Sequence, residues 1–185
     1  KAPLSAVLEE AAEPHFERGK VIVFEQTQHD AELNEQPEIL RKPEIIHGMR
    51  NLVQNAVDFA KTTIWVETSW SDSEISVRIV DDGAGFPLHL IGRIGDPFVG
   101  QRKSDKERAK RPEYEGMGLG LFIAKTLLER SGAKLQFSNG GSQFAKKSNG
   151  KTGAVIDVTW PRDKIDAAFS NVAEVTGENL RNQTY

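Results

Sequence analysis

The sequence contains no cysteine. Disulfides, thiol switches and thiolate metal sites are therefore excluded from this chain. It also lacks any apolar run long enough to cross a bilayer, and it shows no secretory signal pattern. No basic excess is present: the formal net charge is −3, which argues against general nucleic-acid binding. No internal repeat or low-complexity tract interrupts the chain. What remains is ordinary for a globular domain, with 38% hydrophobic and 28% charged residues over 185 positions. The chain opens at Lys1 without a methionine. The expectation is a fragment of a longer protein, with any sensor or membrane part lying elsewhere.

Within this composition one stretch stands out. Glu74 to Asp81 alternates, with Ile75, Val77, Ile79 and Asp81 on one face. Three apolar members mark that face as buried, so Asp81 is a carboxylate in need of a partner. Gly83 and Gly85 follow, and each permits close approach by backbone or ligand. This reads as the floor of a pocket, in which a carboxylate accepts a hydrogen bond from a flat ring. A tight turn capped by its aspartate is the plainer alternative.

The flanking pattern gives the elements. Leu4, Val7, Leu8, Ala11 and Ala12 predict a helix to about His15, with Ser5 as its cap. Val21–Phe24 reads as a short strand, residues 25–38 as a loop or insertion, and Leu40 as part of a short strand before Pro43. Pro43 opens a helix with a stripe of Ile45, Ile46, Met49, Leu52, Val53, Ala56 and Ala60. Asn51 and Asn55, four apart, share a face beside it. Ile64, Val66, Thr68 and Trp70 alternate along a strand. Gly116, Gly118 and Gly120 lead into a helix from Leu121 to Arg130, closed by Gly132. Glycines ahead of a helix leave backbone N–H groups free for phosphate. Strands at 134–138 and 152–160 complete the expected fold: an α/β two-layer sandwich, a mixed β-sheet with helices packed on one face. The expected division is a domain over residues 1–162 and a tail over 163–185.

The order Asn51-Leu52-Val53-Gln54-Asn55, Asp81-Asp82-Gly83-Ala84-Gly85, Gly116-Met117-Gly118-Leu119-Gly120 resembles the N, G1 and G2 boxes of the Bergerat-type ATP-binding domain. That domain is shared by sensor histidine kinases, type II topoisomerases, Hsp90 and MutL. The wording from Pro43 to Ala60, with that from Arg111 to Gly120, is similar to the RegB/PrrB/ActS group of redox-responsive sensor kinases. The similarity spans roughly residues 3–162.

The resemblance implies ATP and Mg²⁺ as cofactors, with Asp81 reading adenine, Asn55 supplying an oxygen to the metal and Asn51 beside it as a catalytic residue. Gly83, Gly85, Gly116, Gly118, Leu119 and Gly120 would line the nucleotide. Gly95 to Gly100 resembles the F box, with Phe98 at the root of a lid over residues 101–115, although Val99, Gly100 and Gln101 depart from the family's usual wording. Arg102 and Lys103 are the lid cations assigned to the phosphates, Lys103 as catalytic.

The resemblance leaves four functions in competition: a histidine kinase catalytic domain, a clamp ATPase, a serine kinase of the anti-sigma kind, and a degenerate binding domain. In the clamp ATPases the residue matching Asn51 is typically glutamate, and an amide cannot act as general base. All three boxes keep their key residues, which disfavours degeneracy. None of His15, His29, His47 and His89 has the neighbours of the family's acceptor histidine. His47 is expected to pack on its helix face. The acceptor is expected in a dimerisation domain outside this chain, with a response regulator as the further partner. The expected location is the cytoplasmic side of an inner-membrane sensor.

Overall fold

The computed structural model describes residues 1–27, 35–95, 117–141 and 149–169. Phe98, Arg102, Lys103 and Gly116 lie outside these residues, as does the expected lid.

Among the described residues, seven strands and four α-helices follow in chain order. They are β1 (Ala2–Pro3), α1 (Leu4–Ala12), β2 (Val21–Gln26), β3 (Glu38–Ile39), α2 (Pro43–Phe59), β4 (Thr63–Trp70), β5 (Glu74–Asp81), α3 (Met117–Arg130), β6 (Lys134–Asn139), β7 (Ala154–Pro161) and α4 (Arg162–Ile165). Short 3-10 turns occupy Glu13–His15 and Leu88–Arg93. β1 and β3 form a small antiparallel ribbon, and the main sheet has the order β2-β4-β5-β7-β6. Only β2 and β4 run parallel in it; the other pairs are antiparallel. The mixed sheet and one-sided helices are the expected two-layer sandwich.

Alternation explains the layering. On β4, Ile64, Val66, Thr68 and Trp70 are buried while their neighbours are not. On β5, Ile75, Val77 and Ile79 face the same way, against α2. The opposite face carries one charged row through all five strands, Glu25–Glu67–Arg78–Asp157–Gln136 by register. A polar row of that kind needs water, so helices cover only the other face.

Several boundaries differ from the sequence reading. Pro3, not Ser5, sits at the N-cap of α1, and no side chain caps it. The Ser5 hydroxyl donates instead to Gln36 Oε1 at 3.0 Å. The helix ends at Ala12 and tightens to a 3-10 turn, where Pro14 cannot supply an N–H. His47 is exposed and does not pack on α2's buried face. α3 begins at Met117, so Gly118 and Gly120 lie in its first turn and not ahead of it. Gly132 does close that helix, at φ +96°. Packing continues beyond Pro161: Ile165 is fully buried, and Leu40 N donates to its carbonyl at 2.8 Å.

Candidate nucleotide site

Asp81 ends β5 with its side chain in the core, only 2% exposed. Its Oδ1 accepts from Gly83 N at 2.7 Å and from Ala154 N at 3.2 Å. Burial pushes this carboxyl above its usual range, and those two N–H groups partly offset the rise. A buried carboxylate with only backbone partners on one oxygen is suited to accept a further hydrogen bond.

The neighbouring Asp82 does a different job. Its Oδ1 accepts from Lys61 N at 2.8 Å and Thr62 N at 3.0 Å, and its Oδ2 from Thr62 Oγ1 at 2.6 Å. Partial burial raises this carboxyl, but the hydrogen bonds prevail and hold it at about 2. Asp82 thus ties the turn after α2 to the Asp81 turn. Gly83 is required at that junction, because a Cβ there would run into the Phe59 carbonyl at the end of α2.

Phe59 closes a row with Asn51 and Asn55, at i, i+4 and i+8 of α2. Asn55 thus stands about one turn and Asn51 about two turns before the helix end that meets Gly83. Asn55 is 7% exposed; Asn51 is half-buried.

Two contacts orient α3 against α2. Lys42, at the start of α2, donates to the Lys164 carbonyl at 3.1 Å, and a Cβ on Gly132, just past the end of α3, would touch the Lys164 side chain. The start of α2 and the end of α3 thus meet at one residue, and the helices run antiparallel. They touch where Gly48 faces Leu128. Seven residues along each helix, about 10 Å, bring Asn55 level with Leu121. Asn51 then lies level with Lys125, and the first turn of α3 lies level with the last turn of α2, just past Asn55. Its N–H groups, those of Gly118 and Leu119 included, lack intrahelical partners. The Leu119 side chain is 69% exposed, which leaves its backbone as the group that can serve a ligand. A Cβ on Gly120 would meet nothing within 4 Å among the described residues.

The structure thus brings Asp81 and Gly83 to the end of α2 one turn past Asn55, with the first turn of α3 alongside; Asn51 lies a further turn back along α2. It adds supports that the sequence reading missed. Gly153 N donates to the Asp81 carbonyl at 2.8 Å. Asn139 pairs with both backbone groups of Phe86, accepting from its N at 2.6 Å and donating to its O at 2.8 Å. Gly85, at φ +78°, lies against that same carboxamide. No local pattern marks these residues, since the contacts span dozens of positions.

Among the described residues, no cluster of three His, Asp or Glu could hold a metal. Asn55 can offer only one neutral oxygen. That fits Mg²⁺, which keeps water and phosphate oxygens as most of its ligands.

Comparison with known proteins gives the family and the fold. The family described as histidine kinase-, DNA gyrase B- and HSP90-like ATPase matches residues 41–164. Sensor histidine kinase RegB of Cereibacter sphaeroides is 54% identical over 186 residues, covering all of this chain and 40% of the relative. The chain thus spans well under half of that relative's length. Among solved structures, the mycobacterial sensor histidine kinase MprB superposes with a TM-score of 0.61 at 18% identity, over 86% of this chain and 95% of the other. Full-length ShkA in complex with AMPPNP gives 0.60 at 23% identity, over 86% of this chain and 30% of the other.

Proposed function

The chain belongs to the histidine kinase-, DNA gyrase B- and HSP90-like ATPase family, and from that premise we propose that it is the ATP-binding catalytic domain of a two-component sensor histidine kinase. It passes the γ-phosphoryl group of ATP to a histidine in a dimerisation domain outside this chain, for relay to a response regulator. The observation that carries this reading is the buried Asp81 carboxylate, held by Gly83 and Ala154 where the turn meets the end of α2.

Each residue has a task in this reading. Asp81 accepts from the adenine amino group, and Gly83 and Gly85 let the turn beside it close against the Phe59 carbonyl and the Asn139 carboxamide. The first turn of α3 offers N–H groups and the positive end of its dipole to the phosphates. Asn55 would offer its amide oxygen to Mg²⁺, which would neutralise charge on the phosphates when bound. Asn51, an amide, cannot deprotonate water, which favours transfer to a supplied acceptor over hydrolysis. Phe98, Arg102 and Lys103 remain assigned to the lid. Such catalysis rests on positioning and charge stabilisation.

The similarity to RegB supports placing the parent protein among redox-responsive sensor kinases, with this domain on the cytoplasmic side of a membrane. Among the described residues, no helix is long and apolar enough to cross a membrane.

The test uses labelled ATP and Mg²⁺. The chain alone should bind nucleotide, hydrolyse it slowly and take up no stable phosphate on histidine. Mixed with the dimerisation helices of its parent, it should label their histidine, though slowly. Separation forfeits the effective concentration of about millimolar that a short linker supplies. Fast ATP turnover with no transfer to those helices would instead establish a clamp ATPase.

A further inference from the structure

The geometry points to Asn139 as a positioning residue for the adenine end of the site, a role that rests on the nucleotide-binding reading above. Asn139 is the last residue of β6, 53 positions from the segment it holds. Its carboxamide acts as one extra rung of sheet. Oδ1 accepts from Phe86 N at 2.6 Å while Nδ2 donates to Phe86 O at 2.8 Å. These two bonds fix the peptides on both sides of Phe86, whose ring is buried against Phe137 at 5.9 Å, edge to face.

The consequence reaches Asp81 by two routes. Along the chain, the clamp holds Gly85 at φ +78°, with no room for a Cβ beside Asn139 Oδ1. Across the sheet end, Gly140 N donates to Gly153 O at 2.8 Å, and Gly153 N donates to Asp81 O at 2.8 Å. Asn139 and Gly140 therefore close a hydrogen-bonded loop around the Asp81–Phe86 turn. Among the described residues Asn139 is the amide side chain that bonds to this turn, and its pairing of one donor with one acceptor makes asparagine specific there.

The experiment is Asn139→Asp in the full 185-residue chain, with ADP as the probe. At pH 8 the aspartate keeps an acceptor for Phe86 N but sets a second acceptor against Phe86 O. ADP affinity should fall about tenfold relative to the parent. Acidification towards the carboxyl's pKa, about 4 or above, restores an O–H donor and a C=O acceptor. The ratio of parent to variant affinity should then return towards one. Taking the ratio cancels any titration of Asp81, present in both proteins. Equal affinity at pH 8, or a deficit that stays constant from pH 8 to pH 4.5, overturns the proposal. A constant deficit with a lowered Tm would mark Asn139 as structural only. If the folded parent fails to bind ADP, the nucleotide-site reading falls, and this role with it.

Discussion

The Gly153 N–H donates to the Asp81 carbonyl at 2.8 Å, and a methyl group on Gly153 would overlap Asp81 Oδ1. The glycine is thus fixed by the carboxylate that it braces, 72 positions earlier in the chain. The other atoms that the methyl would meet are Gly83 N and the Asp81 carbonyl, both backbone. Neither can swing aside as a side chain could. Gly153→Ala should therefore cost about 1–3 kcal/mol in stability and weaken ADP binding, because relief requires moving Asp81. Denaturant unfolding and calorimetry check this. Parent-like values in both would show that the site tolerates the displacement.

Asp81 itself stabilises ligand at the expense of the fold. Burial raises its pKa above the ordinary 3.8. The folded state then holds the proton more tightly than the unfolded state does. In the window between 3.8 and the folded pKa, stability therefore rises as pH falls, and the ionised carboxylate at neutral pH subtracts from it. Asp81→Asn removes that penalty while keeping an oxygen for Gly83 N and Ala154 N. At pH 7 its Tm should exceed the parent's, and the gap should narrow on acidification. Adenine nucleotide binding should fall by about 1.5–3 kcal/mol, the worth of a charge-assisted hydrogen bond. An unchanged Kd for ATP would remove Asp81 from the site.

These two residues mark how far the sequence could be read. Asp81 was visible because a carboxylate at the fourth position of an apolar alternation must find a partner or a ligand. Asn55 was visible because it lies beside a helical stripe in a box of known order. Gly153 and Asn139 were not, since their contacts join chain segments more than fifty residues apart and depend on where β6 and β7 end. The start of α3 was misplaced for a different reason. Glycine's low helix propensity suggested a loop through Gly120, yet the helix, packed antiparallel on α2, extends back to Met117. Ser5 had the residue type of a cap, but the long-range bond to Gln36 claimed its hydroxyl.

Lys151 offers a test of the sheet's outer face. Glu25 and Glu67 are register partners on parallel β2 and β4, so two carboxylates face each other. The Lys151 ammonium reaches both, at 2.6 and 2.5 Å, and lies 5.7 Å from the Trp65 ring. Burial alone would lower its pKa, but the hydrogen bonds to Glu25 and Glu67 raise it. The contribution is therefore fully present below the ordinary 10.5 and is lost as pH rises through the folded value. Lys151→Ala should destabilise by about 1 kcal/mol, a figure limited by solvent screening. Adding Glu67→Gln should recover part of that loss, because it removes the like-charge pair. Full additivity in a double-mutant cycle would mean that the lysine acts through Trp65 instead.

Asn55 is the residue on which the metal proposal turns. It sits nine-tenths buried on α2, level with Leu121 on α3 and one turn before the Phe59 carbonyl that meets Gly83. Among the described residues there is no acidic cluster to bind Mg²⁺ unaided. On the proposed reading metal and phosphates would arrive together, with one amide oxygen of Asn55 completing the set. This predicts a difference between ligands and not a general loss. Asn55→Ala should weaken Mg·ATP by about 1–3 kcal/mol, roughly five- to 150-fold, while adenosine, which needs no metal, binds as to the parent. Asn55→Asp retains an oxygen and adds charge, so it should lose less Mg·ATP affinity than the alanine variant. Calorimetric titration of each protein with both ligands separates the cases. An equal fall for adenosine and Mg·ATP would show that the substitution had shifted α2, and the metal role of Asn55 would be withdrawn.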